Sequence, residues 1–491
     1  MIRLQRVYTF ILFMLSACIV STVLYGFSYE ECVVQIRVTI QEYDYYSPWQ
    51  RKRHSVSSLH GCVIQKNPGL IATLSLPLEN HVYIEVSKYG KKRRYPAKVV
   101  LKDYKTGLAL LTAENQLFFQ DLDPVRLSDE PMKPGKGIVV KWDSSGRFKQ
   151  YSTEAYEHSI QSYEGVGGAL IHQMTTGLDA GGDGEPVFQD DILIGLNAWF
   201  DRDKKIIKVN SADTLKWMLQ DYRNGSYNGQ AFFWLEYNGL NEDENLKNYL
   251  GLNEGDTGIF VTDIPPTSSG YGVLKKGDVI LSIDGHSIDD NGFCTFPHYG
   301  KLNYKWIIYN HYVGETVVME IVRQKERKQV EFILLPATED SVLIPSHYTD
   351  KAPTYYITGG FVFQELTRGF LNIWGGDWEK KADKRLVFLT NKYWSYPSES
   401  KRRVVILNRV LPAASNTGYH EKSTLILESI NKQEVRDLEH VRKLVEESSD
   451  TYIVFRFSGN ECIVVQKKKC IESTKAILLQ YEIPVQHNLK F

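Results

Sequence analysis

Lys276-Gly277-Asp278-Val279-Ile280-Leu281-Ser282-Ile283-Asp284-Gly285 is the stretch on which the fold is decided. Lys276-Gly277-Asp278 carries the residues of a tight turn, the apolar run after it has the length and β-branching of a buried strand, and Asp284-Gly285 is a second turn signal. Downstream, a helical piece spans about Tyr304 to Tyr312, and strands follow at Thr316 to Arg323 and Gln329 to Leu335. The same order recurs near the end of the chain. Arg403-Val404-Val405-Ile406-Leu407 and Leu425-Ile426-Leu427-Glu428-Ser429-Ile430-Asn431 read as strands, and a helix with Leu438, Val441 and Leu444 on one face follows. A hairpin of Tyr452 to Phe457 with Cys462 to Val465 closes the order, as expected of a diverged duplication of one α+β module.

Upstream of both copies, from Cys32 to about Val209, short β-branched or alternating runs are separated by turn residues. Val33-Val34-Gln35-Ile36-Arg37-Val38, Tyr83-Ile84-Glu85-Val86, Leu108-Ala109-Leu110-Leu111 and Ile192-Leu193-Ile194-Gly195-Leu196 are examples of this all-β pattern. A helix from Ala212, with Ser211 as N-cap, ends this part, and Arg223 to Gly229 is a polar linker. With 491 residues the chain exceeds the ~250 to 300 residues at which single cores stop growing. The expected division is 1–28 signal peptide or membrane or lipid anchor, 29–222 all-β domain, 230–337 first module, 338–357 linker, and 358–491 second module with a C-terminal extension.

Lys+Arg number 58 against 59 Asp+Glu, so net charge gives no support to nucleic-acid binding. The basic runs Lys91 to Arg94 and Lys467 to Lys469 are expected at solvated hairpin tips. At the N-terminus, Arg3 and Arg6 precede an uncharged stretch from Tyr8 to Phe27, the layout of an export signal. Leu15-Ser16-Ala17-Cys18 matches a lipobox, which makes Cys18 a lipidation candidate; an uncleaved anchor and a later cleavage near Ser28 are the other two readings. All three place the body of the protein outside the cytoplasm, in the periplasm or cell envelope. The remaining cysteines lack metal-ligand spacing, and neither metal nor cofactor is expected.

The Lys276 to Gly285 stretch resembles the PDZ domains of HtrA-type proteins, and joined to an upstream all-β domain it resembles the HtrA/Deg family of serine proteases, closest to its plant-type branch. Ser47-Pro48-Trp49-Gln50, Pro297-His298-Tyr299-Gly300 and Leu343-Ile344-Pro345-Ser346-His347 are similar to segments of that branch. The resemblance implies a mainly β multidomain protein: a trypsin-like double β-barrel followed by two PDZ-like α+β domains. It also implies assembly as a trimer or a multiple of one, homo-oligomeric or mixed with an active paralogue, and capture of protein or peptide partners through PDZ surfaces.

The same resemblance places the catalytic triad, and none of its residues is present. The histidine position falls on Leu76 within Ala72-Thr73-Leu74-Ser75-Leu76-Pro77, the aspartate position on Gly107 before Leu108, and the serine position on Asp183 in Gly181-Gly182-Asp183-Gly184-Glu185-Pro186. Leucine accepts no proton, glycine orients no imidazole, and a carboxylate is a poor nucleophile toward an amide. Asp183 and Glu185 would also set negative charge beside the N–H groups that stabilise a developing oxyanion. Asp179, Asp183 and Glu185 are otherwise expected to form a solvated acidic loop. His60, His81, His158, His172, Ser75 and Ser159 are the residues from which a rearranged mechanism would have to recruit. The first PDZ groove is expected at Phe233, Trp234 and Leu235, with Tyr304 and Ile308 on the facing helix. The functional expectation is a catalytically inactive envelope scaffold or chaperone-like protein, with a serine endopeptidase of rearranged mechanism as the alternative.

Overall fold

A computed structural model describes residues 28–128, 130–133, 135–143, 146–162, 167–240, 243–345, 350–391 and 397–489. Cys18 and the expected export segment lie outside the described residues. Among the described residues no helix is long and apolar enough to cross a membrane.

The fold is mainly β, with trypsin-type barrels followed by PDZ-type modules. Six strands close the first barrel in the order Val33–Ile40, Ser55–Lys66, Gly69–Leu74, Leu108–Ala113, Arg94–Asp103, His81–Lys88. The second ring runs Glu185–Gln189, Lys136–Trp142, Phe148–Gln161, Ala169–Thr176, Ile206–Ser211, Ile192–Asp201, and returns to Glu185–Gln189. Closure removes the free strand edges that would otherwise pair with another chain. Alternating burial along Val33–Ile40 sends Val34, Ile36 and Val38 into the first barrel. Cys32, Cys62, Leu74, Leu108 and Leu110 turn the other way, onto Phe188, Leu193 and Leu196 of the second barrel. The helix Ala212–Arg223, capped by the Ser211 hydroxyl accepting from the Thr214 N–H, covers this seam with Leu215, Trp217 and Met218. Leu76, Gly107 and Asp183 all sit on turns at strand ends bordering the seam.

The two later modules have one plan. In the first, Glu236–Gly239, Ile259–Asp263, Val279–Ile283, Thr316–Arg323 and Glu326–Ile333 form a sheet against the helix Lys305–Asn310. Phe361–Glu365, Val405–Val410, Leu425–Ile430, Tyr452–Phe457 and Glu461–Gln466, with the helix Leu438–Glu446, repeat it in the second. Tyr355–Thr358 already pairs with Phe361–Glu365, so this sheet begins inside the stretch expected to be linker.

Two surface expectations need correction. Lys467 to Lys469 open the helix Lys467–Gln480 instead of lying at a hairpin tip; Cys470, Thr474 and Ile477 recur at helical spacing and are buried against the second module. Glu185 is 0% exposed, so of the three acids expected in a solvated loop only Asp179 and Asp183 are at the surface.

Candidate vestigial active site

Three turns meet at the mouth of the seam. The Ser75 N–H donates to the Gly107 carbonyl at 3.0 Å, which joins the Leu76 turn to the start of Leu108–Ala113. The His60 N–H donates to the Asp183 carbonyl at 2.8 Å, and the Thr73 hydroxyl donates to the His60 carbonyl. Gly184 has φ +82° and passes so close to the His60 carbonyl that a Cβ would lie 2.7 Å from it, so only glycine fits there. The side chains presented are nonetheless inert: Leu76 is 40% exposed on a short 3-10 turn, and Gly107 offers no group at all.

Glu185 turns its carboxylate back beneath this loop. Its Oε2 accepts the N–H groups of Gly182 and Asp183 at 3.0 Å each and the Asn197 side-chain amide at 2.9 Å, while Lys141 lies 3.3 Å from Oε1. Such charge-assisted bonds make the burial of a carboxylate tolerable. The main-chain N–H of residue 183 is thus held by an internal anion. Asp183 is exposed; partial desolvation and the Glu185 charge raise its pKa above the usual carboxylate range.

The residues available for recruitment are held within the fold. His60 Nε2 accepts the Trp142 N–H at 3.1 Å, and burial lowers its pKa, so its basic lone pair is already engaged. The buried Ser75 hydroxyl donates to the Asp103 carbonyl at 3.0 Å. His81 Nδ1 lies 3.0 Å from the Leu78 carbonyl. His158 and His172 pair with each other, Nδ1 to Nδ1 at 2.9 Å, against Tyr299 of the first PDZ-like module. Ser159 faces Ile171 in the ladder between Phe148–Gln161 and Ala169–Thr176.

Known proteins share this architecture. A family model described as a PDZ domain matches residues 344–488. Protease Do-like 2, chloroplastic, of Arabidopsis thaliana is 26% identical over 474 residues, spanning 94% of this chain and 75% of its own length. Protease Do-like 4, mitochondrial, of the same plant is 25% identical over 445 residues, 89% of this chain and 81% of its own. Over nearly its whole length the chain is similar to proteases of the HtrA/Deg family. Among solved structures, the HtrA-type protease AlgW with decapeptide matches with a TM-score of 0.47 at 16% identity, over 63% of this chain and 96% of its own.

In this chain the residues expected at the first PDZ groove are drawn into the module's core. Phe233 and Leu235 are 3% exposed, and Tyr304 and Ile308 are fully buried with them. Phe233 stacks on Phe332 at 5.5 Å between centroids and meets Tyr304 edge-on, while Tyr237 closes on Tyr304 from the first strand. The loop's main chain is engaged internally too. The Trp234 N–H donates to the Ser268 hydroxyl at 3.0 Å, and the Phe232 N–H donates to the Leu335 carbonyl at 2.8 Å. Trp234 keeps its ring at the surface of this core, with the Lys305 ammonium 4.1 Å from the ring centroid; burial pushes that ammonium down to about 8.

Sequence reasoning did not find Lys141, Asn197 and Asp103. Lys141 and Asn197 come from strands that the fold alone brings to Glu185. Asp103 sits in a legible turn signal, Asp103-Tyr104-Lys105-Thr106, but its carboxylate is taken by the Lys105 and Thr106 N–H groups and the Tyr227 hydroxyl. It therefore has no role toward residue 76.

Proposed function

We propose that this HtrA/Deg protein is a catalytically inactive binding protein that acts in an exported or organellar compartment, holding protein partners as a scaffold or chaperone. The observation that carries this reading is the Glu185 carboxylate bound to the main-chain N–H of residue 183, under a loop that offers a carboxylate where a hydroxyl nucleophile is needed. An acyl-transfer oxyanion arriving there would face an anion already in place, inverting the electrostatics that catalysis requires. Leu76 and Gly107 supply neither a base nor its orienter.

Compartment and assembly are carried over from relatives. The Do-like relatives are named as chloroplastic and mitochondrial, and a relative from Marinomonas sp. is named as probably periplasmic. An export signal at the N-terminus, expected from the sequence, would agree with a location outside the cytosol, and assembly into a homo-oligomer or with an active paralogue follows from the family's habit. The test is chemical. Purified protein incubated with a fluorophosphonate and with unfolded casein, beside an active Do-like protease, is expected to show neither label nor fragments. Labelling at one serine that disappears when that serine is replaced would establish the rearranged endopeptidase instead.

A further inference from the structure

The segment Glu42-Tyr43-Asp44-Tyr45-Tyr46-Ser47-Pro48-Trp49, between the first two strands of the first barrel, is aromatic and acidic and plays no part in the vestigial site. The second PDZ-like module grips it. Asn408 donates its side-chain amide to the Tyr45 and Tyr46 carbonyls at 3.3 and 3.1 Å, the Arg409 guanidinium lies 4.3 Å from the Tyr46 ring centroid, and Trp49 meets Tyr355 edge-on. Between this segment, the Leu76 turn and the Gly369 to Trp374 stretch of the second module lies a cleft of about 970 Å³. That volume is at the upper end for a ligand site, and its walls are fixed by contacts already made.

Two features of the lining agree on one kind of occupant. Leu76, Tyr46 and Ile373 are each 40% exposed or more and all face the cleft, so apolar surface is left uncovered on all three walls. Glu42, Asp44 and Glu79 set three carboxylates around it against the single ammonium of Lys52.

We infer that this cleft holds an extended segment of an unfolded partner polypeptide, one that sets a lysine or arginine beside an apolar side chain. Its apolar side chain rests on Leu76 and Ile373, and its cation lies among the carboxylates. The leucine that stands where catalysis would need histidine becomes part of a binding floor. This deepens the reading of the chain as a binding protein and rests on it.

The experiment uses the full chain and two fluorescein-labelled ten-residue peptides of the same leucine and phenylalanine content, one carrying lysines and the other glutamates at the same places. Fluorescence polarisation is expected to show at least tenfold tighter binding of the lysine peptide, weakened by salt. The double variant Leu76→Ser/Ile373→Ser, both surface positions, is expected to lose about tenfold with an unchanged thermal midpoint. Leu479→Ser, at an exposed leucine on the C-terminal helix, is expected to leave binding as it was. Equal binding of the glutamate peptide, no loss in the double variant, or the same loss with Leu479→Ser would overturn the inference. Mass spectrometry of the bound peptide keeps the two readings apart: a cleaved peptide refutes inactivity, while the variants still report where it binds.

Discussion

The Glu185 carboxylate accepts the main-chain N–H of Asp183 at 3.0 Å, so an acid two residues along the chain occupies a hydrogen-bond donor of the candidate site from inside. The carboxylate is fully buried and also holds Gly182, Asn197 and Lys141. The loop's conformation therefore depends on a charge that a catalytic loop would have to exclude.

Removing that charge leaves donors with nothing to accept them. Glu185→Ala is expected to destabilise the protein by about 3–5 kcal/mol, as for a buried ion pair stripped of one partner. Glu185→Gln keeps an acceptor for the two N–H groups and is expected to cost less, with the difference reporting the Lys141 pairing. Urea denaturation at pH 7 measures both. Equal midpoints for Glu185→Ala and the unaltered protein would refute a structural role for this carboxylate.

His172 gives the interface between the second barrel and the first PDZ-like module a pH dependence. Burial and the adjacent His158 ring push its pKa down from the usual 6.5 to about 3, with Asp213 opposing weakly. A histidine whose folded pKa is lowered binds its proton more readily when unfolded. Its contribution is complete above 6.5 and is lost as the pH falls below that value. At pH 5.0 the loss is about 2 kcal/mol relative to pH 7.5. Urea midpoints at the two pH values should show it, and His172→Leu should flatten the difference. An unchanged difference in the variant would assign the effect elsewhere.

Asp350 ties the segment before the last module to the first barrel. Its carboxylate accepts the Asn80 N–H at 2.8 Å and the Tyr104 hydroxyl at 2.7 Å and pairs with Lys102. Burial opposes the charge, but these partners outweigh it and hold the pKa below the usual carboxylate range. The stabilisation is present above the unfolded pKa and is lost as the pH falls through the depressed one. Asp350→Asn is expected to cost about 1–3 kcal/mol at pH 7 and to speed proteolysis within residues 338–357. Proteolysis at an unchanged rate would show that the clasp does not hold this segment.

What was legible in the sequence was local. Lys276 to Gly285 declared its turns and buried strand, and Gly181 to Pro186 declared the missing serine, because turn chemistry and strand periodicity act over a few residues. The acids at 183 and 185 were visible beside the loop amides, but the direction of Glu185 was not, since Lys141 and Asn197 reach it from other strands. Lys467 to Lys469 were read from the hairpin before them, although Cys470, Thr474 and Ile477 behind them already carried helical spacing. The grip of Asn408 on Tyr45 joins residues 363 apart, and no local pattern announces it.

Hydrolysis requires more than a serine at position 183. Asp183→Ser alone is expected to leave the protein unreactive, because the new hydroxyl would have Leu76 and Gly107 for partners and would stay protonated. Adding Leu76→His and Gly107→Asp supplies a base and its orienter, yet the Glu185 carboxylate would still hold the residue-183 N–H and oppose an oxyanion. The structure therefore makes Glu185→Gly the fourth necessary change, matched to the glycine that the family places there. Fluorophosphonate labelling across the series is expected to stay at background for the single and triple variants and to rise, if anywhere, only in the quadruple one. Loss of an oxyanion donor costs about 10²–10³ in turnover in other serine proteases, so the fourth change is the one to watch. Casein cleavage by the triple variant, with Glu185 intact, would show that the internal carboxylate is no barrier and that inactivity rests on the triad positions alone.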